Sequence, residues 1–441
     1  MRDELNDIPR GAAAVRAAGA ARLSALAEPE PWDEDWKRCA FQPAELTAFR
    51  PYGDGVRAEA LPGRSAPGTE ADPSNPEPVA SGTELAESPA LRLVFERGRL
   101  ATLELSEAAR ASGVRVEGLD VLDAAAAERL ARFAVDSPDR ADARAWAELS
   151  HGARILVPAG VGLEAPIVVE FLEGGEGAFA APRLFLELGR NARAGLRARF
   201  RSAGAGSDAD CAVAGGVVAE LAEGSRLDGA ILQSFSDGTP AYLRLDAALG
   251  ANAVIVWREF HLGSSRVRAR SSVRLEGEGA RADLEGAWVL AEGQVADLGT
   301  VQRHLAPGTA SDALYKGVVA PGGRSAFRGL IEVAKAASKT DAYLANRNLL
   351  LGPGARADSL PALAIGTNDV RCTHGSTTGR VDPSQVHYLE TRGIPSAEAR
   401  RLVADGFAGE IADRVPESMR DLVAAALAER MARAAAGGVH A

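Results

Sequence analysis

In AYLRLDAALGANAVIVWREFHLGSSRVRARSSVRLEGEGARADLEG, residues 241–286, apolar and polar side chains alternate in short runs separated by turns of small residues. A period of two marks strands with one face buried. Upstream, RLFLEL and LRARF carry the same pattern, and it holds from about residue 153 to about residue 367. The turns share a form: GRNARAG, EGSRLDG, LGANAVI, GEGARAD, APGTAS and GPGARAD. Their small residues at Ala192, Ser225, Ala251, Ala280 and Thr309 lie 33, 26, 29 and 29 apart, with a sixth copy at Ala355. A loose repeat of this length signals a solenoid or a propeller. Propeller blades need about 40 residues and aromatic signatures that are missing here, and the strand period excludes helical repeats. A β-solenoid is expected, its open ends capped or paired with a partner.

The flanks differ. Residues 1–52 read as an N-terminal helical region, with an Ala-rich helix over Ala12–Ala27 and Trp32 and Trp36 on one helix face. Residues 53–90 hold six prolines among Gly, Ser, Thr and Glu and read as a flexible linker. Residues 91–150 are a mixed lead-in, with strands in LRLVFERGRLATLEL and a helical pattern from 119 to 149. The solenoid occupies 151–381. Residues 382–436 form a C-terminal helical domain: Asp382 caps a first helix with Pro383 at its first position and Gln385 at capping-box spacing. Gly393 ends that helix, Ser396 caps the second and Pro416 opens a third. An apolar stripe on these helices must dock on the solenoid, a partner, or both.

Composition bounds the chemistry. The chain has 441 residues, 60 acidic against 50 basic, and a net charge of −10, which argues against nucleic-acid binding. Three cysteines cannot build a disulfide framework, so a cytoplasmic home is expected. No apolar run spans a membrane, and Asp3, Glu4 and Asp7 stand where a secretory signal would be basic. No P-loop occurs. The G-x-G-x-x-A runs at Gly160–Ala165 and Gly352–Ala357 open no helix and read as corners between strands. Cys39, Cys211, His151, His261, His304 and His387 read as structural, and His440 as part of a solvated tail.

The densest chemistry is NDVRCTHGSTTG, residues 368–379, with Asp369, Cys372 and His374. On an extended segment Cys372 and His374 are i and i+2, on one face. Thiolate and imidazole suit iron or zinc, or a Cys–His nucleophile pair. They also suit a small buried Cys beside a hydrogen-bonded His. Two ligands cannot close a four-coordinate site, so a metal here needs ligands from elsewhere, such as a second chain.

RCTHGSTTGRVDPSQVHYLETRGIPSAEARRLVADGFAGEIADRV, residues 371–415, resembles the SufB/SufD scaffold family of the SUF iron–sulfur assembly system. RILVPAGVGLEAPIVVE (154–170), YKGVVAPGGRSAFRGLIEV (315–333) and KAASKTDAYLANRNLLLGPGARADSLP (335–361) agree, so the resemblance covers roughly residues 120–430. The C-x-H-G form is similar to SufD. The resemblance implies a mainly β protein with a right-handed parallel β-helix core between N-terminal and C-terminal helical regions. It implies a non-catalytic subunit that pairs with a SufB-like scaffold through the end of the β-helix. A SufC-like ATPase would dock on the C-terminal helices, with Leu402, Phe407 and Ile411 as candidates. A homodimer could form where SufB is lacking. It further implies that His374 and Cys372 face the SufB interface, where a transient iron–sulfur cluster or its iron is held, with Asp369 behind them. The chain departs from the pattern at Ala364 and at Asn368, where members carry acidic residues. A β-solenoid enzyme with Cys372 as nucleophile and His374 as base, or a purely structural pairing module, are the other readings.

Overall fold

The computed structural model describes residues 11–28, 49–51, 88–175, 177–203 and 211–436. Trp32, Trp36, Cys39, His440 and nearly all of the Pro-rich stretch 53–90 lie outside the described residues.

From His151 onward the chain is a parallel β-helix with two walls. Successive strands fall alternately in one sheet and the other: Ala212–Leu221, then Arg226–Ser234 opposite, then Ala241–Leu249 back above the first. Each strand therefore pairs in parallel with the strand after next. Arg193, Arg226, Val254, Arg281, Ala310, Asp341 and Arg371 stand in register up one wall, giving coils of 33, 28, 27, 29, 31 and 30 residues. The corner column is Ala192, Ser225, Ala253, Ala280, Thr309 and Thr340, all buried. This corrects the repeat read from sequence in two ways. In GANA the buried corner residue is Ala253, not Ala251, because Asn252 takes the left-handed turn (φ 54°) ahead of it. Ala355 belongs to the opposite corner, and the copy at Thr340 went unread because its turn, ASKT, lacks the glycine of the others.

The interior is tightly interdigitated, and glycines make room for its largest rings. A Cβ on Gly286 would stand 2.4 Å from the Tyr315 ring, one on Gly317 would stand 2.4 Å from Trp288, and one on Gly229 would stand 2.3 Å from Trp257. These glycines are the register partners of those residues in adjacent coils. Each ring thus lies in a slot that the neighbouring coil leaves open.

The lead-in joins the solenoid. The hairpin Leu91–Glu96 and Arg99–Leu105, turned at Arg97 and Gly98, extends one wall by pairing parallel with Ile167–Glu173. The helices Gly11–Ala25, Ala124–Val135 and Arg140–Ala147 cover the outer face of the other wall through Val15, Leu130, Phe133 and Trp146. Asp142, inside this layer, accepts from Arg183 at 2.9 Å and Arg244 at 2.7 Å. Burial without such pairing would be prohibitive for either charge.

The C-terminal helices Pro383–Thr391, Ser396–Ala412 and Glu417–Ala436 pack on the outer face of the hairpin's wall. Asp382 caps the first through the Ser384 N–H at 2.8 Å, and Gly393 follows it at φ 86°. Ser396 is already helical; Pro395 holds the cap position and makes no side-chain bond, which corrects the cap read from sequence. Lys316, the one buried lysine of the described residues, ties this domain down. Its Nζ donates to the Phe407 carbonyl at 2.9 Å and to Glu410, and lies 4.4 Å from the centre of the Phe407 ring.

Candidate functional site

The two walls end together. Arg356–Ile365 and Val370–Arg380 are the terminal strands, and among the described residues no strand pairs with their outer edges. A free edge of this kind is a template for another chain.

Cys372 and His374 lie on Val370–Arg380, in register with Ala342 and Leu344 of the coil beneath. Ala342 and Leu344 point into the solenoid core, so the residues paired with them share that orientation. Cys372 is half-buried against the core and His374 is exposed, because no further coil lies above them. Ser376 and Thr378 continue the row, in register with the buried Asn346 and Asn348. Facing them on the other terminal strand are Leu363 and Ile365, above Ile331 and Val333. The open end thus presents a thiol, an imidazole and two hydroxyls along one wall, and apolar groups along the other.

Burial, and then the carboxylate of Asp341, push the Cys372 thiol up from its ordinary value. Asp369 sits in the corner before the strand; its carbonyl takes the Lys339 N–H at 2.6 Å, and no hydrogen bond links its carboxylate to Cys372 or His374. Tyr343 went unremarked in the sequence. It is 40% exposed on the strand beneath, and a Cβ on Gly375 would lie 3.2 Å from its hydroxyl. Its signal was an aromatic within an otherwise polar alternation, TDAYLANRN.

The other candidate histidines and cysteines sit elsewhere. His151 bonds Glu173 at 2.9 Å and Ser150 at 2.8 Å, and His304 bonds Thr309 and Ser311 at 2.8 Å each, both inside the solenoid. Cys211 is buried 3.7 Å from the Thr239 hydroxyl. The three docking candidates separate. Leu402 is 40% exposed, Phe407 is half-buried over Lys316, and Ile411 is fully buried between helix and sheet. Tyr388, on the preceding helix, is 58% exposed. No helix among the described residues is long and apolar enough to cross a membrane.

Residues 171–407 match the family described as SUF system FeS cluster assembly, SufBD core domain. The iron–sulfur cluster assembly SufBD family protein Rv1462 of Mycobacterium tuberculosis is 32% identical over 297 residues, covering 65% of this chain and 73% of that protein. The iron–sulfur cluster assembly protein SufD of Escherichia coli is 34% identical over 187 residues, 42% of this chain and 44% of that one. A SufBD family protein of Mycobacterium leprae is 38% identical over 189 residues, 41% of this chain and 48% of its own length. With more than half of its length in the family's core domain, and with the β-helix the repeats had indicated, the chain belongs to the SufBD family of the SUF iron–sulfur cluster assembly system.

Proposed function

We propose that the chain is a SufD-like scaffold subunit without turnover of its own, working in the cytoplasm. In this reading it pairs with a SufB-like chain at the open end of the β-helix and docks a SufC-like ATPase on its C-terminal helices. The observation that carries the proposal is the open end itself: two unpaired strand edges side by side, with Cys372 and His374 on the inner face of the last coil. A partner that adds strands to both edges would enclose the pair and supply the ligands they lack. Iron or a nascent cluster is then cargo shared by two chains, held here by His374 and, once its proton leaves, by Cys372. Asp369, off the strand, serves the corner more than the ligands.

The raised Cys372 thiol weighs against the enzyme reading. A nucleophilic cysteine needs its thiolate favoured, and no group among the described residues orients His374 through a hydrogen bond. For the ATPase, Leu402 and Tyr388 are the surface a partner could reach, whereas Ile411 secures the helices to the solenoid.

The test is coexpression with SufB-like and SufC-like partners, anaerobic purification, and assay of iron, sulfide and visible absorbance. His374→Ala is expected to lower cluster content while the subunits stay together, and Cys372→Ala to have the smaller effect. Wild-type cluster content in the His374→Ala complex would remove the ligand role. Leu402→Asp is expected to release the ATPase and leave the scaffold pair intact.

A further inference from the structure

The two strands of the open end differ in what their backbones offer. Arg356 donates its N–H to the Gly323 carbonyl at 3.0 Å and Gly366 to the Val333 carbonyl at 2.8 Å, both in the coil beneath. The register between these coils is unbroken, from Arg324 opposite Arg356 to Val333 opposite Ile365. In a parallel strand successive peptide groups turn to opposite neighbours. Even-numbered residues therefore bond the coil beneath, while Ala357, Ser359, Pro361, Leu363 and Ile365 turn their backbone groups to the free edge. Pro361 is the middle one of these five, and it has no N–H. Its ring fills the space where a donor would stand, so a strand laid along this edge would leave a carbonyl without a donor at its centre. On the other wall Asp341 and Leu351 donate to the Thr309 and Val319 carbonyls beneath, at 3.0 and 2.9 Å. Carried up one coil through the register, the same alternation turns the backbone groups of Cys372, His374, Ser376 and Thr378 outward. Val370–Arg380 contains no proline, so this edge offers a donor at every outward position.

An edge with one position closed discriminates among the strands that could join it. Two copies joined at their open ends form an isologous pair, in which every feature of the surface occurs twice. Such a pair contains Pro361 twice and leaves two carbonyls without donors, each at the cost of its desolvation. A pair with a chain that has an N–H at the matching place contains the defect once. We propose that Pro361 is a partner selector: it disfavours a second copy of this chain at the open end and leaves the place to a SufB-like chain whose terminal strand has a donor there. The inference rests on the reading of the open end as a pairing surface. The uninterrupted edge, Val370–Arg380, carries the ladder, and it brings the partner's backbone directly beside Cys372 and His374.

The experiment measures two dissociation constants for the full chain: between copies, by sedimentation over a concentration series, and with a SufB-like partner, by titration. Replacing Pro361 with alanine restores one donor per chain, and each position opened in this way is worth about tenfold in affinity. Pro361→Ala is therefore expected to tighten the mixed pair about tenfold and the pair of copies about a hundredfold. Hydrogen exchange gives a second readout: the amide that Pro361→Ala introduces should exchange rapidly in the free chain and slowly in either pair. Ser376→Pro closes an outward position of the other edge and should break the mixed pair, while protection of Thr340–Leu350 stays as in the wild type; Thr378→Pro takes its place if that protection is lost. A mixed pair that survives this change would show that the open end is not the pairing surface, and the selector would fall with that reading. If the mixed pair breaks as expected but Pro361→Ala tightens the pair of copies no more than the mixed pair, or leaves the copies monomeric at every concentration, the reading stands and the selector role is overturned.

Discussion

Replacing Lys316 with methionine should loosen the C-terminal helical domain from the β-helix without unfolding the β-helix. Methionine keeps the apolar stem and deletes the charge. Three contacts are lost: the bond to the Phe407 carbonyl, the pair with Glu410, and the approach to the Phe407 ring. A hydrogen bond from a charged donor contributes about 1.5–3 kcal/mol and a cation over a ring about 0.5–2 kcal/mol. The Glu410 side chain is 38% exposed, so that pair is screened and adds at most about 1 kcal/mol. Together these contacts contribute about 2–6 kcal/mol, and the relief of removing a desolvated ammonium offsets roughly half of that. The net expectation is a loss of about 2 kcal/mol, or roughly 30-fold in the docking equilibrium. Hydrogen exchange on the full chain reads it directly: protection across Ser396–Ala436 should fall by about that factor, while Ala310–Val319 and Thr340–Leu350 stay protected. Glu410→Gln should produce a smaller change in the same region. Unchanged protection in Lys316→Met would mean that the apolar contacts of Ile411, Met419 and Val423 alone hold the domain, and the anchoring role would be wrong.

His304 gives a pH prediction. Burial lowers its pKa from 6.5 to about 4. The unfolded chain therefore takes up this proton from about pH 6.5 downward and the folded chain only near 4, so stability falls as pH falls through that window. By pH 4.5 the loss is about 2–3 kcal/mol, visible as the difference in denaturant unfolding between wild type and His304→Gln. Gly286→Ala should destabilise the β-helix by about 1–3 kcal/mol, read by thermal or denaturant melting, because the added methyl group meets the Tyr315 ring. Alkylation of Cys372 at neutral pH should be slower than that of a free thiol and should quicken in Asp341→Asn, since burial and then that carboxylate hold the thiol up; equal rates in the two proteins would remove Asp341 from the account.

The solenoid was legible because strand alternation and small-residue corners repeat over more than 200 residues, where errors at single turns average out. Single turns were less legible. Ala251 and Ala253 are both small, and only burial distinguishes the corner residue from its neighbour. Cys372 and His374 share a face because strand geometry leaves no other arrangement. Their place at an uncovered end depends on where the last coil falls, which alternation does not encode. In the helices of 382–436 the apolar residues occupy more than one side. Ile411 was therefore grouped with Leu402, although one meets the sheet and the other meets water. Lys316 carried a signal, as one of only four lysines in the chain, yet nothing in its local sequence marks it as buried.

The slots that hold Trp257, Trp288 and Tyr315 also bear on how this chain can change over generations. A repeat protein grows or shrinks most simply by copying or dropping one coil. Here that edit would break a lock and its key. Tyr315 and Trp257 lean on the glycine of the coil before, while Trp288 leans on the glycine of the coil after. Removing any one of these coils would strand a ring over a side chain or leave a slot empty. Coil number between residues 226 and 319 should therefore be constant among relatives that keep these rings, with length variation confined to the corners, while the coils outside that block are free of this constraint.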